Sequence, residues 1–291
     1  MSYFGPFITA TKLMQPLFEQ ALSALQHPPT CVISDAFLGW TQESAEKIGI
    51  PRYFFSGMSV FAMTLCQLIG IERPHAETIS PDENDFEPHF GDLEPKGLAV
   101  DFWIELAFGT QADISAEQIQ EIAKGLELSN TCFLWVTRQN VLEHLQGLEN
   151  RVKNRAFIVK EWVDQNQVLN HKSIKGFLSH CGWNSILECI CAKVPILALP
   201  FMAVQHLNAR MVTEEIGVGL RIMPRNGSVR GFVEAEAVEK MVRELTEGEK
   251  GEMVRKKVKD LGVNAEEAMN EGGSSWSTLG LLIDDACARK L

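Results

Sequence analysis

The residues best suited to chemistry lie between a predicted strand and a predicted helix. The stretch Gly176 to Ser185 reads GFLSHCGWNS, an apolar strand that runs directly into polar residues opening a helix. A helix N-terminus binds anions, because its first amides are free and the helix dipole is positive there. His180, Asn184 and Ser185 add side-chain donors at the same point, so the pattern predicts a site for a phosphate group.

A purely structural interpretation of two of these positions stands beside the first. Ser185 and Glu188 have the spacing of a capping box, in which both side chains serve only the first turn of their own helix. Such boxes are common, and taken alone the spacing favours the cap. Helix capping and ligand binding therefore both remain open for Ser185 and Glu188.

Other familiar sites are disfavoured by residue spacing. The region contains no C-x2-C pair, and Cys189 and Cys191 fall on different faces of the predicted helix, which argues against zinc. The chain contains no G-x-x-x-x-G-K-[ST] loop and no G-x-S-x-G elbow. Gly217 and Gly219 lack the third glycine and the acidic residue of a nicotinamide-binding fingerprint. The phosphate site is thus the strongest chemical signal.

Charge and cysteine content restrict the partners and the compartment. The chain has 291 residues and a formal charge of −11, the wrong sign for binding nucleic acid or an anionic membrane through phosphate neutralisation. A local cluster of amides still binds a small anion. Seven irregularly spaced cysteines predict free thiols in a reducing compartment, and the N-terminus lacks the pattern of a signal peptide. We therefore expect a cytoplasmic protein.

One segment has the length of a membrane span. Residues 54–71 contain no charged residue over eighteen positions, which meets the lower limit for a spanning helix. The polar residues within it, such as Ser59 and Gln67, instead favour a buried strand, a turn and a capped helix. We expect no membrane span.

The phosphate-binding residues must be positioned by a fold of alternating strands and helices. Short apolar runs alternate with amphipathic stretches, the pattern of βαβ units in a parallel sheet covered by helices. Residues 73–97 interrupt this alternation with prolines and acids typical of an exposed linker. We expect two α/β lobes, a small one at residues 1–97 and a larger one at residues 98–291. The predicted strands are Thr30–Ser34, Pro51–Phe55, Phe102–Phe108, Cys132–Thr137, Ala156–Lys160, Ile174–Ser179 and Val194–Leu199. The predicted helices are Leu38–Ile48, Ser59–Ile69, Ser115–Leu128, Ser185–Ala192, Leu207–Ile216, Glu234–Asn270 with a break near Gly248, and Ser275–Arg289.

The stretch from Trp162 to Gln205 resembles the signature box of the plant family 1 UDP-dependent glycosyltransferases. It begins WVDQ, passes through HCGWNS and ends in PFMAVQ. The resemblance implies a GT-B type fold of two Rossmann-like lobes, with the sugar nucleotide bound by the C-terminal lobe and the acceptor by the N-terminal lobe. That N-terminal lobe is expected to be incomplete here. Further segments that resemble the family are Val32–Asp35 followed by Trp40, Ala107–Gln111, Phe133–Val136 and Gly272–Ser275.

The resemblance also implies roles for single residues. Trp162 would stack on the uracil, Gln165 and Glu188 would hydrogen-bond the ribose, and Trp183 and Gln205 would contact the sugar. For Glu188, capping of the helix remains the alternative. The residues implied to hold the diphosphate are Thr110, His180, Asn184 and Ser185, and Gly182 belongs to the same UDP-sugar-binding set.

Three departures from the family pattern bear on activity. Val204 stands where the family has an acid before the last glutamine of the box. The family activates the acceptor hydroxyl with a histidine oriented by an aspartate; Asp35 resembles that aspartate, whereas the histidine has no counterpart, and His27 lies in an unrelated context. The chain is also shorter than the family pattern between Ile71 and Leu98. Loss of a general base costs about 10²–10⁴-fold in rate.

The sequence therefore predicts a UDP-glycosyltransferase that transfers a sugar, with glucose expected, to a hydroxyl of a small lipophilic plant metabolite such as a flavonoid. The resemblance implies an inverting, metal-independent reaction with no cofactor beyond the UDP-sugar donor. The alternative is a non-catalytic UDP-sugar-binding remnant, or a partner of a full-length relative. A third possibility, which follows from the short first lobe, is a fragment that does not fold well.

Overall fold

The computed structural model describes residues 4–60, 62–64, 103–108, 114–137, 139–152, 155–160, 163–227 and 231–288. These residues form two compact units. The smaller unit contains residues 4–57 and 267–288, and the larger contains the described residues between 58 and 266. The expected lobe boundary after residue 97 and the expected linker at residues 73–97 lie outside the described residues.

Strands and helices alternate through most of the described chain. The strands are β1 (Val32–Asp35), β2 (Arg52–Phe55), β3 (Trp103–Ala107), β4 (Cys132–Val136), β5 (Ala156–Val159), β6 (Ile174–Ser179), β7 (Ile196–Ala198) and β8 (Gly219–Arg221). The helices are α1 (Phe4–Thr11), α2 (Gln15–Ser23), α3 (Trp40–Lys47), α4 (Ala116–Ser129), α5 (Gln139–Leu142), α6 (Leu148–Val152), α7 (Gln165–Leu169), α8 (Trp183–Cys191), α9 (Gln205–Arg210), α10 (Ala235–Glu247), α11 (Glu249–Met269) and α12 (Ser274–Ala288).

The larger unit is built on six parallel strands in the order β5-β4-β3-β6-β7-β8. Both faces of a parallel sheet must be covered, and helices cover both faces here. On one face, α4 and α10 pack together through residues such as Ile122 and Val242. Gly125 permits their close approach, since an added Cβ would lie 2.5 Å from Val238 Cβ. On the other face, α8 and α11 contribute Ile186 and Val258 to a second core.

The smaller unit holds the two-stranded parallel sheet of β1 and β2. Trp40 anchors its helices, because the buried indole donates a hydrogen bond to Thr11 Oγ1 at 3.2 Å and meets the Phe18 ring edge-on. The Tyr53 hydroxyl joins β2 to α12 through Asp285 Oδ2 at 2.7 Å. This unit therefore combines the first elements of the chain with the last helix.

The uncharged segment that begins at Phe54 forms the strand, turn and capped helix that the sequence predicts, as far as it is described. β2 ends at Phe55, and Ser59 Oγ accepts a hydrogen bond from the Ala62 amide at 3.1 Å, which caps the helical residues 62–64. In the described ranges, no helix combines the length and the apolar character needed to cross a bilayer.

Candidate functional site

The predicted phosphate site lies at the topological switch point of the six-stranded sheet. Successive strands run outward from β3 through β4 to β5, and outward from β6 through β7 to β8, so the order reverses between β3 and β6. In open parallel sheets, ligands bind beyond the carboxyl ends of the two strands at such a point. His180 follows the last residue of β6, beside the carbonyl of Ala107 at the end of β3. The fold thus places His180 where a ligand is expected.

A strained loop carries the chain from β6 into α8. Cys181 has φ of +64°, a left-handed conformation that is unfavourable for a residue with a side chain. Its amide donates to Ser179 Oγ at 3.1 Å, and its carbonyl accepts from Asn208 Nδ2 at 3.0 Å. Asn208 is fully buried and also accepts from Ser59 Oγ at 2.9 Å. These bonds fix the loop that bears His180.

The ring of His180 is uncharged at neutral pH. Burial lowers its pKa to about 4, although the carbonyl of Ala107 acts in the opposite direction. Its Nδ1 atom is buried and has no hydrogen-bond partner among the described residues. Gly182 leaves space for the ring, since a Cβ there would lie 2.5 Å from His180 Nε2. A neutral imidazole carries one N–H, so His180 offers a phosphate no positive charge and a single hydrogen bond, for which the carbonyl of Ala107 competes.

The start of α8 contradicts the capping-box interpretation. Gly182 is the N-cap residue and provides no side-chain cap, whereas Ser185 is the third residue inside the helix. The first intrahelical bond runs from the Ile186 amide to the Gly182 carbonyl at 3.1 Å, so the preceding amides of Trp183, Asn184 and Ser185 have no partner within the helix. The predicted helix start at Ser185 is therefore two residues late, and the helix presents free amides beside His180.

Gln165 and Glu188, the predicted ribose-binding residues, are in direct contact. Asp164 caps α7 by accepting from the Gln167 amide at 3.1 Å, which sets Gln165 at the start of that helix. Gln165 Nε2 donates to Glu188 Oε2 at 2.5 Å and to Ser185 Oγ at 3.2 Å. Burial raises the pKa of Glu188, opposed by the bond from Gln165. The side chains of Ser185 and Glu188 thus accept hydrogen bonds from Gln165 and do not cap the helix.

The predicted sugar-binding residues lie at two helix starts. Trp183 is the first residue of α8 and is half-buried, and Gln205 is the first residue of α9 and is buried. Gln205 Oε1 accepts from the Phe201 and Met202 amides at 3.0 and 3.1 Å. Only its amide nitrogen is therefore left for a ligand. Val204, in place of the family's acid, is the N-cap residue of α9 and gives no side-chain cap.

Asp35 lies in the smaller unit and makes a local turn. It is exposed at the end of β1, and its Oδ1 accepts from the Phe37 amide at 2.8 Å. No histidine is hydrogen-bonded to Asp35 in the part of the chain that the structure describes. Two further predicted site residues, Thr110 and Trp162, lie outside the described residues.

Two residues of the site region escaped the sequence reasoning. Glu105 is a fully buried carboxylic acid in the middle of β3. The sequence feature that could have identified it is a single acid within the apolar run FWIELAF. Asn208 supports the loop at Cys181, and nothing in its local sequence distinguishes it from an ordinary polar helix residue. Both are recognisable only when the sheet and its loops are assembled.

Comparisons with known proteins identify the family of the chain. Residues 93–247 match the family described as UDP-glucoronosyl and UDP-glucosyl transferase. UDP-glycosyltransferase 90A1 of Arabidopsis thaliana is 36% identical over 99% of this chain and 79% of its own length. That match spans 379 residues, more than the 291 of this chain, so the relative carries residues within the matched span that this chain lacks.

Solved structures agree in fold. The structure of TcCGT1 in complex with UDP has a TM-score of 0.83 and 24% identity, covering 98% of this chain and 83% of the other. UGT2 of Phytolacca americana, complexed with UDP-2fluoro-glucose and pterostilbene, has a TM-score of 0.76 and 26% identity, covering 94% and 80%. With the family match, the signature box and the parallel sheets all in agreement, the chain belongs to the plant family 1 UDP-glycosyltransferases and has their α/β fold of the GT-B type.

Proposed function

We propose that this chain binds a UDP-sugar at the start of α8 and transfers the sugar to a hydroxyl of a small lipophilic metabolite. The observation that carries the proposal is the convergence of free helix amides, an uncharged, half-buried histidine and the Gln165–Glu188 pair beside one switch point. The amides and His180 suit the diphosphate, and the Glu188 carboxylate suits the two hydroxyls of a ribose.

Glucose and a phenolic acceptor are the substrates we favour. The Phytolacca americana UGT2 structure contains UDP-2fluoro-glucose together with pterostilbene, a ligand pair of that chemistry. In this chain, the amide nitrogen of Gln205 and the half-buried ring of Trp183 are the groups available to a sugar. The odd number of cysteines fits a reducing cytoplasm as the place of action.

The donor site suits an inverting displacement. The acceptor oxygen forms a bond to the anomeric carbon from the face opposite UDP, and the bond from that carbon to UDP breaks. The hydroxyl proton passes to solvent water, because the Asp35 carboxylate holds no histidine of the described chain as a base. Negative charge then grows on the departing diphosphate, where the α8 amides, the helix dipole and the His180 N–H stabilise it. These groups supply the required stabilisation, so the proposal includes no metal ion.

A second candidate is a protein that binds UDP-sugars without turning them over. The local turn at Asp35 favours it, because the Asp35 carboxylate bonds to the Phe37 amide and to no histidine of the described chain. Val204 favours it as well, since loss of a charged acceptor for a sugar hydroxyl costs about 1.5–3 kcal/mol.

Two measurements on the purified chain separate the candidates. Calorimetric titration with UDP tests the site that both require, and His180→Ala is expected to weaken binding whereas Asp35→Ala leaves it unchanged. Incubation with UDP-glucose and a panel of flavonoid and stilbene phenols then tests transfer. Glucoside formation supports the transferase, while UDP binding without any glucoside supports the binding protein. Absence of UDP binding contradicts both.

A further inference from the structure

A buried carboxylic acid lies in the sheet beside the core that α8 covers, because its in-register neighbours belong to that core. Glu105 occupies the centre of β3 and is fully buried. Its in-register neighbours on the adjacent strands are Leu134 and Phe177, both buried and apolar. Neither carboxyl oxygen has a hydrogen-bond partner among the described residues. A buried charge without a partner is strongly unfavourable, so this group needs either a proton or a ligand.

A second carboxylate, that of Glu188 in the proposed ribose site, acts on Glu105. Burial raises the pKa of Glu105 to about 8, and repulsion from Glu188 adds to the increase. Glu105 also acts on the thiol of Cys189 on α8, which in turn interacts with the thiol of Cys181 in the loop before α8; Arg221 acts on Cys181. Burial raises the pKa of Cys181 to about 12 and that of Cys189 well above its ordinary value, so neither ionises near neutral pH. Asp164 acts on Glu188 from the start of α7.

We propose that Glu105 is a positioning residue for donor binding, which stays protonated so that it adds no repulsion to Glu188 and Glu188 keeps its place against Gln165. The inference rests on the proposed function, because Glu188 is taken there to accept hydrogen bonds from the ribose. Glu105 itself touches no substrate and acts through Glu188.

The direction of the pH effect on UDP affinity follows from the thermodynamic linkage between UDP binding and the protonation of Glu105. A bound ribose removes water from the half-buried Glu188 carboxylate, which strengthens its repulsion of any charge on Glu105. The protonated form of Glu105 is therefore favoured further in the complex, and binding at high pH requires proton uptake. UDP affinity must then fall as the pH rises through about 8.

The test compares UDP affinity of the whole chain and its Glu105→Gln variant by calorimetry at pH 6.5 and pH 9. Glutamine keeps the shape of the side chain and cannot ionise. The ratio of the two dissociation constants cancels the titration of UDP itself. We expect similar affinities at pH 6.5 and weaker binding by the unmodified chain at pH 9, by about three- to fivefold, which corresponds to a coupling of about half to one pKa unit. A ratio that does not change with pH overturns the inference.

Two further variants make the result specific. In a Glu188→Gln background the pH dependence of the ratio should vanish, because the repelling partner is gone, and its persistence would contradict the inference. Glu127→Gln is the matched control, since Glu127 lies on α4 and pairs with Arg151 at 2.8 Å. The ratio of the UDP dissociation constants of Glu127→Gln and the unmodified chain should stay constant with pH. Absence of UDP binding at pH 6.5 in every variant overturns the proposed function, and the inference with it.

Discussion

Gly182 and His180 pack closely beside the end of β3, so that the side chain at position 182 and the position of the His180 ring depend on each other. The glycine backbone is in an ordinary extended conformation, so a requirement for glycine comes from space and not from its φ angle. The space is occupied by the imidazole ring, whose Nε2 would lie 2.5 Å from an added Cβ. The position of the His180 ring therefore depends on the absence of a side chain at position 182.

Gly182→Ala is expected to weaken UDP binding by displacing His180. The lost hydrogen bond corresponds to about 1–2 kcal/mol, or roughly 5- to 30-fold in affinity. Because both substitutions remove the same contact, the Gly182→Ala, His180→Ala double variant should bind no more weakly than His180→Ala alone. Calorimetric titrations of the three variants check this, and additive losses would show that Gly182 acts independently of His180.

Glu105 gives the folded chain a distinctive pH dependence of stability. Its pKa rises from an ordinary 4.5 to about 8 on folding, so between these values the folded chain holds a proton that the unfolded chain has released. The free energy of unfolding from this group is highest below pH 4.5 and falls as the pH rises toward 8, by up to about 1.4 kcal/mol per pH unit. Glu105→Gln should remove this decline. Urea unfolding at pH 5.5 and 8.5 measures it, and an equal decline in both proteins would contradict the account.

At the scale of strands and helices, long periodic elements were predictable and short junctions were not. The pattern of β6 was confirmed at both ends, and the break at Gly248 separates α10 from α11 as the sequence predicts. The three-residue strand β8 and the five-residue helix α7 are too short to produce a readable period. The prediction of a capping box at Ser185 and Glu188 was wrong for a different reason. Ser185 and Glu188 have the right spacing, but a contact from Gln165, twenty residues earlier, determines what they bind.

The loop between β6 and α8 is held by a hydrogen bond from Asn208 on α9, which follows it in the chain. Asn208→Asp replaces the amide that donates to the Cys181 carbonyl with an oxygen that repels it. We expect at least about a tenfold loss of UDP affinity, because the left-handed Cys181 loses its support and His180 moves with it.

Ser59→Ala is the matched control for this substitution. It removes the other partner of Asn208 and the cap of residues 62–64, so it should lower the melting temperature. Since the bond from Asn208 to Cys181 remains, UDP affinity should be retained. Equal losses of affinity in both variants would show that general destabilisation, and not the loop, weakens binding.

At the scale of the whole molecule, the two units differ in how much apolar surface they bury. The six-stranded sheet of the larger unit has a core on each face. In the smaller unit, the described sheet has two strands, and α12 exposes five large apolar side chains while burying only Ala286. The five are Trp276, Leu279, Leu281, Leu282 and Ile283. A two-stranded sheet is marginally stable by itself.

This contrast predicts unequal protection from hydrogen exchange. Amides of β1, β2 and α12 should exchange faster than those of β3 and β6, because local opening exposes less apolar surface in the smaller unit. Mass spectrometry of exchanged peptides measures the difference, with added UDP expected to slow exchange in the segment from β6 to α8 alone. Uniform fast exchange would support a chain that does not fold, and uniform slow exchange would contradict the proposed weakness of the smaller unit.

The most direct test of the account is a crystal structure of the chain soaked with UDP. The account predicts the diphosphate beyond the ends of β3 and β6, within hydrogen-bond distance of the Asn184 and Ser185 amides and the His180 ring, with the ribose hydroxyls on Glu188. UDP bound elsewhere, or a site at the start of α8 that stays empty at saturating UDP, would contradict it.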